Sequence, residues 1–184
     1  MAGFLFAMLA VLATGLGARD QVLVAHMAPR RAVLAVALVC TLIASLLAGW
    51  AGQSVAPLMT APARMFLVAM ALGLAALELL VIRPGRKPIE PTQSLGAFFL
   101  VLLAQQLFDA SRFTLFAIAA ASPAAWTAVA GGILGSATSV SAGWLGGATW
   151  QARPLTLVRR GLGAAMLLLA LYLAYPAIAA RLAA

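Results

Sequence analysis

Long apolar runs, separated by short polar or proline-marked breaks, fill almost the whole chain. A helix needs about 20 apolar residues to cross the hydrocarbon layer of a membrane. Six runs have about that length: 3–28, 32–49, 65–82, 95–121, 124–147 and 162–180. Only 9% of the 184 residues are charged, whereas soluble domains carry about 25%. The sequence therefore predicts an all-α integral membrane protein with six transmembrane helices, embedded in a lipid bilayer.

The positive charges indicate how these helices are oriented. The net charge is +8, but the positive residues are scattered between apolar runs and form no stripe, which argues against a nucleic-acid partner. The first, third and fifth loops carry eight of them: Arg30, Arg31, Arg83, Arg86, Lys87, Arg153, Arg159 and Arg160. Because positive loops stay in the cytoplasm, we expect both termini outside. The compact chain indicates a bacterial inner membrane.

Three of the four acidic residues fall inside apolar runs, namely Asp20, Glu78 and Asp109. A charge at the centre of a bilayer costs about 2.5–3.5 kcal/mol on insertion scales, and such residues usually line an ion or proton pathway. This pattern favours a transporter. Glu78 lies five residues before Arg83, so we expect its long side chain to reach the headgroups. No catalytic motif is present, and we expect neither an enzyme nor a cofactor.

The two halves of the chain look alike. Runs 3–28 and 95–121 are both interrupted near the middle by a polar cluster, and each is followed by a proline-marked turn and a helix rich in small residues. Residues 1–82 and 94–184 then form two three-helix repeats joined by a cytoplasmic linker, 83–93. An odd number of helices makes the second repeat inverted. Inverted repeats place substrate sites at the midplane, so Asp20 and Asp109 should lie close together.

At these polar clusters the chain resembles the Gdt-type cation/proton exchangers, whose signature is E-x-G-D-[KR]-[ST], usually followed by Gln. The second repeat has Gln106-Leu-Phe-Asp109-Ala-Ser111, and the first has Gly15-Leu-Gly-Ala-Arg-Asp20-Gln21. The resemblance implies exchange of Mn²⁺ or Ca²⁺ for protons. Of the four signature acids only Asp109 is in place; Asp20 stands two positions after the lost first-repeat aspartate.

The resemblance also implies a site. The expected substrate-binding residues are Asp109, Gln106, Ser111, Asp20 and Gln21, with the two aspartates as ligands of the transported metal ion. Carboxylates, neutral side-chain oxygens and backbone carbonyls are the ligands of hard divalent cations. Arg19 and Arg112 would modulate the charge of this site and oppose a divalent ion.

Several alternatives stay open. Asp109 and Arg112 are three residues apart and can form an ion pair on one helix face, which would leave Asp109 without a role in transport. The substrate can also be a monovalent cation, an anion or an amino acid, with Arg19 and Arg112 as ligands. A third reading is a membrane partner or scaffold that has lost the ion site. The glycine-rich fifth run is a candidate surface for a homo-oligomer.

Overall fold

The computed structural model describes residues 1–82, 94–151 and 155–182, and within these ranges the chain is helical with no strand. The predicted linker 83–93 lies outside the described residues. The helices are α1 (Ala2–Gly15), α2 (Arg19–Met27), α3 (Arg31–Val55), α4 (Ala61–Val81), α5 (Leu95–Leu107), α6 (Ala110–Ala121), α7 (Ala125–Gln151) and α8 (Thr156–Leu182). A 3₁₀ turn, Ala56–Leu58, follows α3.

Four helical segments in the described part of the chain are long and apolar enough to cross a membrane: Arg31–Leu58, Ala61–Val81, Ala125–Gly147 and Thr156–Ala179. Helices α1 and α2 meet at 70° and make a fifth span when they are counted together. A sixth span requires α5 and α6, which are shorter apolar helices, to be counted as one. The predicted all-helical membrane protein is confirmed at the level of four to five spans.

The predicted spans 3–28 and 95–121 are each two helices in the structure. The first breaks after Gly15, where Leu16 is extended and Gly17 adopts a left-handed conformation with φ of 67°, which glycine reaches without strain. The second breaks at Phe108 and Asp109, and the extended Asp109 becomes the N-cap of α6. Both breaks coincide with the polar clusters seen in the sequence.

Each broken pair packs mainly on the long helix of the other half. Helices α1 and α2 lie against α7, whereas α5 and α6 lie against α3. Helices α3 and α7 contact one another, and so do α4 and α8. Helix α4 also packs on α6. This arrangement brings the two helix breaks to the same region of the protein.

Glycines bring these helices close together. A Cβ atom at Gly131 would collide with the carbonyl oxygen of Phe4, and one at Gly135 would collide with that of Met8. Gly143 packs in the same way on Gln21. Close approach at small residues is a usual means of helix association in membranes. These three positions of α7 are therefore covered within the chain, and a homo-oligomer through this helix stays a prediction.

Large apolar side chains face outward while small ones fill the interior. The largest buried cluster, between α4, α6 and α8, is mostly alanine. Exposed side chains include Phe6, Trp50, Leu100 and Tyr172. In water such a surface would be unfavourable, but in lipid it is not, because the hydrocarbon is as apolar as the protein interior.

Candidate functional site

The two helix breaks form one polar cluster inside the protein. Asp20 lies in the first turn of α2 and Asp109 caps the start of α6. Both carboxylates are buried, at 7% and 5% exposure. Gln106 links the two residues, because its side chain donates to Asp20 and its carbonyl oxygen accepts from the backbone N–H of Asp109 at 3.4 Å. The N-terminal end of a helix carries a partial positive charge that stabilises an anion, so each break offers a favourable place for the carboxylate that it holds.

Gln106 joins the two halves of the cluster. Its Nε2 donates to Asp20 Oδ2 at 3.1 Å and to Thr41 Oγ1 of α3 at 3.0 Å. Asp20 Oδ1 accepts from the backbone N–H of Gln21 at 2.7 Å. Gln106 is fully buried, yet its Oε1 has no hydrogen-bond partner in the structure. A buried acceptor left without a donor is costly, which makes this oxygen available to a cation.

Asp109 is held by its own helix, and the ion pair with Arg112 that was one alternative from the sequence is not formed. The Asp109 carboxylate accepts from Ser111 Oγ at 2.6 Å. The Arg112 side chain extends instead to α7, where Nη1 donates to Ser136 Oγ at 2.6 Å. The Arg112 guanidinium is 3% exposed, and its Nε has no partner. Its charge nevertheless acts on both Asp109 and Asp20.

Gln21 holds the first break against α7. Its Oε1 accepts from the backbone N–H of Gly17 at 2.6 Å, and its Nε2 donates to the carbonyl oxygen of Ser139 at 2.6 Å. Ser139 Oγ in turn donates to the carbonyl oxygen of Gly15 at 3.1 Å. Both polar atoms of the Gln21 amide are therefore engaged with backbone groups. Its contacts position the break, whereas Gln106 keeps an oxygen unbonded.

The prediction that Glu78 reaches the headgroups is wrong. Glu78 is 6% exposed and forms a 2.8 Å ion pair with Arg159. Arg159 also donates from Nη1 to the carbonyl oxygen of Leu16, in the first break, at 3.1 Å. The reason is the packing of α4 along α8, which brings the guanidinium of the first turn of α8 to the last turn of α4. Arg19 is half-buried, and its charge acts on Glu78.

The charges of this interior nearly cancel. Three buried carboxylates, Asp20, Glu78 and Asp109, lie with two buried guanidiniums, Arg112 and Arg159. In the described part of the chain, no group of three His, Cys, Asp or Glu side chains is arranged to hold a metal ion. The site thus has two carboxylates and an unbonded amide oxygen for a cation, together with one guanidinium of opposite charge.

Comparison with known proteins adds no relative. No protein-family model, curated protein or solved structure matches the chain significantly. The resemblance to the Gdt-type exchangers therefore rests on the two sequence runs quoted above.

The structure brings together most of the expected site residues and adds others. Asp20, Asp109, Gln106, Ser111 and Arg112 share one cluster, whereas the charge of Arg19 acts on the neighbouring ion pair. The hydroxyl and guanidinium partners of these groups were not predicted from the sequence: Thr41, Ser136, Ser139 and Arg159. A signal for two of them was present, because serines three residues apart at 136 and 139 lie on one helix face.

Proposed function

We propose that the protein is a small secondary transporter that exchanges a cation for protons, with its site at the two helix breaks. One observation carries this proposal: Asp20 and Asp109, from opposite halves of the chain, each lie at the start of a helix that follows a break, and both belong to one buried cluster. Broken helices of this kind form the substrate sites of many secondary transporters. Ionisable groups at this depth are usually functional.

The packing of the helices supports six spans arranged as two inverted repeats, 1–82 and 94–184. If each helix of the first half is matched in order with one of the second, the contact of α2 with α7 corresponds to that of α6 with α3. The contact of α1 with α7 likewise corresponds to that of α5 with α3. The broken pairs α1–α2 and α5–α6 also correspond. One contact departs from this match, since α4 packs on α6 whereas α8 makes no comparable contact with α2 within the described residues. The symmetry of the other contacts would let the two halves exchange conformations and open the site to each side in turn.

The cluster supplies suitable ligands for a cation. The carboxylates of Asp20 and Asp109 provide negative charge, and Gln106 Oε1 and Ser111 Oγ provide neutral oxygens. The carboxylates would hold either the ion or protons. Mn²⁺ and Ca²⁺ are the ions that the resemblance implies, and a monovalent cation is the alternative. In a bacterial inner membrane, with the positive loops in the cytoplasm, both termini would lie outside.

The near balance of buried charge favours a second candidate, a membrane partner or scaffold that does not transport. In that case Arg112 and Arg159 would only neutralise the acids, and the cluster would be a fixed structural network. The two candidates differ in whether ions move, and in whether Asp109 is needed for that movement.

Proton flux in proteoliposomes tests the proposal. The purified protein is reconstituted with a pH dye inside the vesicles, and gradients of Mn²⁺, Ca²⁺, Na⁺ and K⁺ are imposed in turn. At least one ion should drive proton movement, and Asp109→Asn should abolish it. Thr138→Ala is a matched control, because Thr138 is exposed and its hydroxyl bonds within its own helix at 2.8 Å. No flux with any ion would favour the scaffold; flux unaffected by Asp109→Asn would refute the site.

A further inference from the structure

We propose that Arg112 limits the transported ion to a single positive charge, so that the cluster takes Na⁺ or K⁺ and excludes Mn²⁺ and Ca²⁺. This inference rests on the proposed function, because it concerns the ion that the site of Asp20 and Asp109 exchanges. In this proposal the guanidinium of Arg112 is a permanent positive charge within the site. Three observations support it: Arg112 is buried within the site, its Nη1 donates to Ser136, and its Nε has no hydrogen-bond partner.

The first observation is that Arg112 lies within the site itself. Its side chain is 3% exposed, and its charge acts on Asp109 and on Asp20. Arginine stays protonated at any physiological pH, so its charge is permanent. With both aspartates ionised, the three groups carry a net charge of about −1. One monovalent cation neutralises that charge, whereas a divalent cation leaves the buried site with an excess positive charge.

The remaining nearby charges do not change this sum. Glu78 and Arg159 form an ion pair at 2.8 Å and neutralise one another. Arg19 is half-buried, and its charge acts on Glu78. Solvent screens a partly exposed charge more than a buried one. The available ligands also favour a monovalent ion. A divalent ion prefers several charged oxygens, and no group of three acidic, His or Cys ligands occurs in the described residues.

The second and third observations concern how Arg112 is held. Its Nη1 donates to Ser136 Oγ of α7 at 2.6 Å. Arg112 forms no ion pair with either aspartate, and the ion pair within the described residues joins Glu78 and Arg159. Its Nε has no hydrogen-bond partner. The guanidinium is therefore anchored beside the carboxylates without occupying their oxygens. Those oxygens and Gln106 Oε1 stay available to one small cation.

Ion selectivity of proton flux tests this inference in proteoliposomes of the full chain. In the wild type, Na⁺ or K⁺ should drive proton movement at least tenfold faster than Mn²⁺ or Ca²⁺. Arg112→Gln should raise the divalent-driven flux at least tenfold, because the net charge of the site becomes about −2. Arg112→Lys keeps the charge and should keep divalent ions excluded. Arg160→Gln, an exposed neighbour of Arg159, controls for reconstitution and for general loss of positive charge.

The outcomes separate the inference from the proposed function. Divalent-driven flux in the wild type would overturn the inference and leave cation exchange standing. The absence of flux with all four ions in the wild type would overturn both. Folding of each variant is checked by its thermal unfolding in detergent. If Arg112→Gln does not fold, the wild type and Arg112→Lys still test the inference. Divalent-driven flux in either protein would show that Arg112 does not exclude divalent ions.

Discussion

The Glu78–Arg159 ion pair gives a prediction whose size follows from its geometry. Removing one partner of a buried ion pair costs about 3–5 kcal/mol, because the other charge is left uncompensated. Glu78→Met should fall near 3 kcal/mol, since the repulsion of Glu78 by Asp109 and Asp20 is removed as well. Arg159→Met should cost at least as much, because it also removes the donor to the Leu16 carbonyl oxygen.

The double variant measures the interaction energy between Glu78 and Arg159 apart from their contacts with other groups. Replacement of a buried ion pair by apolar side chains of similar volume is often neutral. The unbonded carbonyl of Leu16 should still cost about 1–2 kcal/mol. Glu78→Met/Arg159→Met is therefore expected to be more stable than either single variant, with a coupling energy of at least about 2 kcal/mol across the double-mutant cycle.

The free energy of unfolding is measured in mixed micelles of rising SDS fraction, followed by circular dichroism. Four proteins are compared under one condition: the wild type, the two single variants and the double variant. Single-variant costs that simply add, within about 0.5 kcal/mol, would refute the buried ion pair. A cost below about 1 kcal/mol for Glu78→Met would do the same, because it is the value of an exposed pair.

Three further predictions concern packing, the first helix break and the charge moved. Gly135→Ala should destabilise the protein by about 1–3 kcal/mol, because the new Cβ meets a backbone carbonyl of α1. The Cβ of Gly161→Ala meets no atom, so this variant should be more stable than the wild type by up to about 1 kcal/mol. Denaturant titration compares the two. Gln21→Leu leaves the N–H of Gly17 without an acceptor and removes the side-chain bond to Ser139 on α7. It should cost about 2 kcal/mol, while Thr138→Ala stays within about 0.5 kcal/mol in the same titration. Exchange of one Na⁺ for one proton moves no net charge, so a membrane potential imposed on the proteoliposomes should leave the Na⁺-driven rate unchanged. A transport step that moved one net charge would instead change in free energy by about 2.3 kcal/mol per 100 mV.

Much of the helical architecture could be predicted from hydropathy, because the membrane demands long apolar helices. The ends of the helices could not. The third predicted run, 65–82, corresponds to a helix that begins at Ala61, since Pro62 suits the first turn of a helix. Run 162–180 likewise belongs to a helix that begins at Thr156. Its first turn carries Arg159, whose charge lowers the hydropathy of the sequence but is neutralised in the fold.

The acidic residues of the candidate site could be predicted from the sequence, but the residues that surround them could not. Asp20 and Asp109 stand out in a sequence because a lone charge in an apolar run is expensive. Their neighbours do not, since Thr41 and Ser136 are ordinary residues of transmembrane helices. The partners of Glu78 and Arg112 depend on which helix packs opposite each side chain. Spacing along the chain favoured a headgroup contact for Glu78 and allowed an ion pair of Arg112 with Asp109, and tertiary packing led to neither.

If the cluster at the two helix breaks is a transport site, it must open to both sides of the membrane in turn. Thiol labelling tests it whatever the ion is. Ser111→Cys is placed in a Cys40→Ala background, because Cys40 is the only cysteine in the sequence. Ser122→Cys, a partly exposed position between α6 and α7, and Leu102→Cys, a fully buried one, are the positive and negative controls.

A membrane-impermeant thiol reagent is then added to either side of vesicles that hold the protein in one orientation. Ser111→Cys should be labelled from both sides. Its rate should be lower than that of Ser122→Cys on the side that Ser122 faces, and on either side at least about tenfold higher than that of Leu102→Cys, which corresponds to about 1.4 kcal/mol in the opening equilibrium. Labelling from neither side, at the rate of Leu102→Cys, would show a sealed structural network and refute a transport site at the helix breaks.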